Sequence, residues 1–257
     1  MRFVLFASLL TSLLFLGLIV MQELGRWFGR RWRRRTGQEK LDGFGAIESS
    51  VFALLGLLTA FSFDGAASRF EHRRILVTEE VNAIGTAYRR LGLLPTGTRE
   101  PLQEKFRLYV RERLRTYRVL PDVDAAKASI VRSEQIQDEI WADALAALSS
   151  TSEKIGILLL PPINQMFDQA STRLLAMQDH PPKVVFGMLG GLALLSAFVA
   201  GFGMATLPLR PVVHVLVFAA TLAIAVYVII DLEYPLVGFI RVNDADQNMS
   251  HVLDQMK

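Results

Sequence analysis

Three acids stand at the ends of apolar stretches in this sequence: Glu48, Asp64 and Asp231. Carboxylates held within a membrane can relay protons, act as a catalytic pair or line an ion path. At the ends of apolar stretches, helix capping and interfacial solvation also account for them. Catalysis inside a membrane calls for paired acids, a histidine–metal set or an activated serine, and no apolar stretch carries one. The four histidines, His72, His180, His214 and His251, are scattered and form no His-x3-His pair. There is no cysteine, which removes disulfides, zinc–thiolate sites and thiol catalysis. The expectation is a protein that is not an enzyme, with no catalytic residue, metal site or cofactor.

The densest chemistry is positive. Arg26, Arg30, Arg31, Arg33, Arg34, Arg35 and Lys40 fall within residues 26–40, opposed only by Glu39, and Trp27, Phe28 and Trp32 are interleaved with them. Basic patches with aromatics can bind nucleic acid. Beside an apolar helix the better reading is a membrane interface, with indole rings at headgroup level and arginines on anionic lipid. Trp27, Trp32, Arg33, Arg34 and Arg35 are the expected anchors. The lipid bilayer, not nucleic acid, is the expected partner.

These residues need elements to position them. Of 257 residues, 51% are hydrophobic and 21% charged, so an apolar part and a charged part must segregate along the chain. Residues 3–22 carry no charge and span ~30 Å as a helix, the thickness of a bilayer core. A cleaved signal peptide is the competing reading, but no A-x-A site follows and the arginine cluster resists translocation. The predicted layout is all-α with four transmembrane helices, two plus two, flanking a helical extramembrane domain. Transmembrane helices fall at 1–22, 45–63, 183–207 and 211–230. A basic amphipathic linker occupies 23–44, a charged helical domain 64–180 and a polar C-terminal tail 231–257. The second span is the odd one, because only 15 uncharged residues separate Glu48 from Asp64. So short a helix suits a bundle interior or a water-lined path better than lipid on every side. In the charged domain, apolar residues recur at helical spacing in three sets. They are Val77, Val81, Ile84, Tyr88 and Leu91; Leu102, Phe106, Tyr109 and Arg113/Leu114, with Tyr117 after them; and Ile163, Phe167, Ala170, Leu174 and Met177. Breaks are expected at Leu94-Pro95-Thr96-Gly97, Pro121-Asp122 and Pro161-Pro162. Gly187, Gly190, Gly191, Ala197, Ala200, Gly201 and Gly203 suit close helix packing in the third span.

Around the second span the sequence reads Phe61-Ser62-Phe63-Asp64-Gly65-Ala66-Ala67-Ser68-Arg69-Phe70-Glu71-His72-Arg73, then Glu79-Glu80-Val81-Asn82-Ala83. An apolar helix passes into a charged one through Arg-Phe-x-x-Arg. This resembles the bestrophins, and more closely bacterial membrane proteins of uncharacterised function described as bestrophin-like. The matching stretches include Ala53-Leu54-Leu55-Gly56-Leu57-Leu58, Asn82-Ala83-Ile84-Gly85-Thr86-Ala87-Tyr88, Asn164-Gln165-Met166-Phe167-Asp168, and Asp231-Leu232-Glu233-Tyr234-Pro235 with Ile240-Arg241-Val242. The resemblance implies a homopentameric channel for small inorganic ions, with the second helix of each copy around the pore. It places Ala53, Leu57 and Phe61 at the apolar neck; Asp64, with Arg69 and Arg73 just beyond it, supplies the charges expected at the mouth. The first three share a helical face at i, i+4, i+8, with Asp64 close to that face at i+11. Stacked apolar rings can gate by dewetting. A Leu/Phe stripe on a membrane helix is also what plain packing produces. The alternative function is a non-conducting scaffold or sensor whose helical domain docks a partner.

The expected location is a bacterial inner (plasma) membrane, crossed several times. The positive-inside rule puts residues 26–40 and Arg210 in the cytoplasm, hence the helical domain in the periplasm. The resemblance, and Arg69, Arg73 and Arg74 after the second span, argue for a cytoplasmic domain. Seven positive charges in one short segment outweigh three beside a long domain, so the expectation is periplasmic.

Overall fold

The computed structural model describes residues 2–37, 43–149, 152–207, 211–235, 238–239 and 243–256. Regular structure among them is helical: α1 (Arg2–Thr36), α2 (Phe44–Arg90), α3 (Thr96–Arg118), α4 (Val123–Leu148), α5 (Glu153–Gln178), α6 (Lys183–Gly203), α7 (Val212–Glu233) and α8 (Asn243–Gln255). Glu39, Lys40, Arg210 and the stretch Ile240-Arg241-Val242 lie outside the described residues. Among the described residues four helices are long and apolar enough to cross a membrane, the third candidate falling within Glu153–Thr206, where α6 is the apolar part.

The chain divides into two units, and the division falls inside α2. One unit is Met1–Arg69 with His180–Tyr234; the other is Phe70–Asp179 with Pro235–Lys257. In the first unit α1 packs along α6 and α7. Small residues set the α1–α6 approach: Ala193, Ala197 and Gly201 are buried on α6. A Cβ on Gly201 would overlap the carbonyl of Gln22, and one on Gly25 the carbonyl of Phe198. Backbone meets backbone there, as small-residue packing in membranes allows. Gly187, Gly190 and Gly191, expected to share this role, face open space instead.

The predicted linker is different in the structure. Residues 23–36 continue α1 as one 35-residue helix, ~52 Å long. Nothing between Gly29 and Thr36 breaks a helix. The stop comes at Gly37, whose left-handed φ of 69° only glycine adopts readily, and whose N–H bonds the Arg33 carbonyl at 2.9 Å. Arg33, Arg34 and Arg35 occupy the last turn, where cations complement the helix dipole.

In the second unit α2, α3, α4, α5 and α8 enclose a core. Ile84, Phe106, Tyr109, Ile136, Ile140, Leu159, Ile163 and Met166 are fully buried in it. The breaks around Pro95 and Pro121 separate helices, and Asp122 caps α4 by accepting from the Ala125 N–H at 3.1 Å. Pro161-Pro162 is not a break, because both lie inside α5. Pro162 leaves the Leu158 carbonyl without its helical N–H partner, and Arg90 Nη1 donates to that oxygen at 2.6 Å. Instead α4 ends at Leu148 and α5 begins at Glu153, on either side of a Ser/Thr-rich stretch of sequence that the prolines overshadowed.

The predicted polar tail is also corrected. Nearly half of it is α8, and Met249 on that helix and Met256 just after it are buried in the core, with Val252 and Leu253 packed against it. These four residues sit at i, i+3, i+4 and i+7, a narrow apolar stripe on an otherwise polar helix.

Candidate pore-lining helix

The front part of α2, through Arg69, is the least enclosed apolar segment of its unit. Only 6% of its most apolar stretch is buried within the chain, against 28% for α7. Its ends are held. Phe44 packs on Phe202 with ring centroids 5.0 Å apart, and Arg69 pairs with the buried Glu233, its Nε donating at 3.0 Å. Between these ends Phe52 meets Phe218 edge-on, with centroids 5.8 Å apart.

Ala53, Leu57, Phe61 and Asp64 are all exposed, Leu57 at 52% and Phe61 at 66%. At 100° per residue they fall within an arc of roughly 80°. One strip of α2 therefore presents small, large and larger apolar side chains, then a carboxylate.

The other predicted mouth charges are not brought to this strip. Arg69 and Arg73 project from the opposite side of α2, roughly 120–160° around. Arg69 is engaged with Glu233. Arg73 is buried at 7% exposure; its Nε donates to the Ala176 carbonyl at 3.0 Å and its Nη2 to the Asp179 carbonyl at 2.7 Å. It thus caps the C-terminal end of α5. Arg74 is exposed and bonds Glu71 at 2.9 Å. Of the predicted mouth charges, only Asp64 stays with the neck residues.

The interface residues split in the same way. Trp27 is 53% exposed, edge-on to Phe28, with the Arg31 guanidinium 5.7 Å from its ring centre. Trp32 is half-buried against Phe202 at 6.2 Å. Arg34 and Arg35 are exposed and Arg33 half-buried. Arg26 is turned inward, with Nη2 donating to the Leu207 carbonyl at 3.3 Å.

Sequence reasoning missed two polar clusters. The first is Glu233 with Arg69, joined by His180, whose ring stacks on Tyr234 at 4.5 Å with Nδ1 3.7 Å from Glu233. The second lies in the other unit. Glu80, Arg113 and Arg173 are 0%, 1% and 4% exposed. Glu80 accepts from Arg113 Nε at 2.6 Å and from Arg173 Nη1 at 2.7 Å. Arg113 Nη2 reaches the Tyr117 hydroxyl at 2.9 Å, and the Arg173 guanidinium covers the Tyr117 ring at 3.8 Å. Burial alone would raise the Glu80 pKa, but the two arginines outweigh it and hold the carboxyl below the ordinary value. This cluster joins α2, α3 and α5 within the second unit. No group of three metal-ligating side chains comes together among the described residues.

A family model described as a Bestrophin-like domain matches residues 15–247. A variant of the bacterial bestrophin homologue from Klebsiella pneumoniae matches with a TM-score of 0.70 at 16% identity, over 96% of this chain and 98% of that one. A second variant gives 0.69 at 15%, over 95% and 97%. A further solved membrane protein gives 0.69 at 15%, over 96% and 98%. At these identities the likeness speaks for the fold. No curated protein sequence matches.

Proposed function

The chain belongs to the bestrophin-like family, and from that premise we propose that it assembles as a pentameric channel for small ions, its pore lined by the front part of α2. The observation that supports this reading is the uncovered strip of Ala53, Leu57, Phe61 and Asp64. A helix side that its own chain leaves open, in a segment flanked by acids, suits a water-filled axis shared among copies. Five Leu57 and five Phe61 side chains form stacked apolar rings that exclude water when narrow. Ala53 leaves the neck wider at its level. Asp64 places a ring of carboxylates at the mouth, and with Arg69 and Arg73 engaged on the far side of the helix that ring favours cations.

The chain resides in the bacterial inner membrane with its charged unit toward the periplasm. The exposed Arg30, Arg31, Arg34 and Arg35 at the end of α1 favour a cytoplasmic position there. Single cysteines at the exposed Thr36 and Ala128 report the side: an impermeant maleimide on intact cells labels Ala128→Cys and spares Thr36→Cys. The reverse pattern contradicts the orientation and leaves the pore reading intact.

The function is tested by flux. Purified protein in liposomes passes small cations, Leu57→Ala and Phe61→Ala each raise the flux several-fold, and Asp64→Asn lowers the preference for cations. A folded oligomer with no flux above that of empty liposomes contradicts the proposal.

A further inference from the structure

Glu48, Phe52, Leu55, Thr59 and Phe63 recur along α2 at helical spacing, roughly 150° around from the strip of Ala53, Leu57 and Phe61. Two concavities lie along this other side. Near the start of α2 a pocket of about 380 Å³ is lined by Trp32, Arg33, Phe44, Glu48 and Phe202. Beginning one turn later, a groove of about 650 Å³ runs between α2 and α7, from Phe52 to Phe63 on one wall, with Phe218 and Ile229 on the other. Its lining is almost wholly apolar, and a Cβ added at Gly56 would meet nothing within 4 Å.

Arg33 Nη2 is buried and, among the described residues, has no hydrogen-bond acceptor. A buried guanidinium nitrogen left unpaired is costly, so an acceptor beyond the described residues is called for. Glu48 lines the same pocket and opposes a simple anion, while Arg33 opposes a simple cation. A group carrying both charges satisfies the pair: a phosphate for Arg33 and a primary ammonium for Glu48, with the Trp32 and Phe44 rings adding cation–π attraction. The groove beyond extends roughly 16 Å along α2, about the hydrocarbon depth of one leaflet.

We propose that this side of α2 holds one phosphatidylethanolamine molecule, with its phosphate at Arg33, its ammonium at Glu48 and an acyl chain in the groove. Such a lipid fills the gap between α2 and α7 and so sets the position of the helix. The inference stands whether or not the chain conducts ions.

Native mass spectrometry tests it, on the full protein extracted from vesicles of equal phosphatidylethanolamine, phosphatidylcholine and phosphatidylglycerol. About one phosphatidylethanolamine per chain is retained. Arg33→Gln and Glu48→Gln each weaken retention by about tenfold. Gly56→Leu, which fills the groove, displaces the lipid, and helical content is unchanged in all three. Equal retention of phosphatidylcholine, preference for phosphatidylglycerol or the absence of bound lipid overturns the proposal. So does a disulfide between Thr59→Cys residues of neighbouring copies, which would place a second chain in the groove.

Discussion

One helix, α2, lives in two environments. Through Arg69 its large apolar side chains are mostly exposed, among them Leu54, Leu57, Phe61 and Phe63. From Phe70 onward Leu76, Val77, Glu80, Val81, Ala83, Ile84 and Ala87 are buried, and the exposed positions include Glu71, His72, Arg74 and Glu79. The front part can leave leucine and phenylalanine uncovered because a membrane or a neighbouring copy solvates them, and its backbone bonds are satisfied internally. The rear part sits in water and must bury its apolar stripe against its own chain. A substitution in the rear therefore changes stability, whereas one on the front strip, if it lines the proposed pore, changes flux and leaves stability nearly untouched.

The largest effect falls on the rear. Glu80→Gln leaves Arg113 and Arg173 buried without their carboxylate, and destabilises the charged unit by about 3–5 kcal/mol in denaturant unfolding of the detergent-solubilised chain. Ile84→Ala, at a fully buried site, costs about 2–5 kcal/mol in the same assay. The Glu80 contribution also depends on pH. Its folded pKa is lowered, so the stabilisation is complete above the unfolded value of about 4.3 and is lost as pH falls through the folded value. Wild type loses its advantage over Glu80→Gln in that acid window, and an advantage that persisted throughout it would break the assignment. The smallest effect on stability falls on the front strip. Leu57→Ala shifts unfolding by no more than about 0.5 kcal/mol, the range of exposed positions. A cost like that of Ile84→Ala would mean that the chain itself covers Leu57.

Much of the fold was legible because each span carries its own signal. The spans predicted at 1–22, 45–63, 183–207 and 211–230 are apolar at membrane length or flanked by charge, and periodicity found the stripes of Val77 to Leu91 and Leu102 to Tyr117. What was hidden depended on distant partners. Arg69 and Glu233 are 164 residues apart, and nothing local marks either as the other's counterion. Glu80 stands beside Glu79 in sequence, yet only the fold turns one inward and the other out. The engagement of Arg73 was partly readable, since helical spacing alone puts it opposite Ala53 and Asp64. The α8 stripe went unseen because Met249, Val252 and Leu253 are few among thirteen mostly polar residues, and Met256 follows the helix end. Pro161-Pro162 misled because local chemistry predicts a break that Arg90 relieves from another helix.

The central claim is that one side of the front part of α2 faces an ion path and the other does not. The absence of native cysteine makes a direct measurement possible. Single cysteines at Ala53, Leu57, Phe61, Leu55 and Thr59 are exposed to a charged thiol reagent while ion flux through reconstituted protein is followed. Modification at Ala53, Leu57 and Phe61 is predicted to reduce the flux, and modification at Leu55 and Thr59 to leave it unchanged. Block at Leu55 and Thr59 with none at Leu57 and Phe61 would contradict the account.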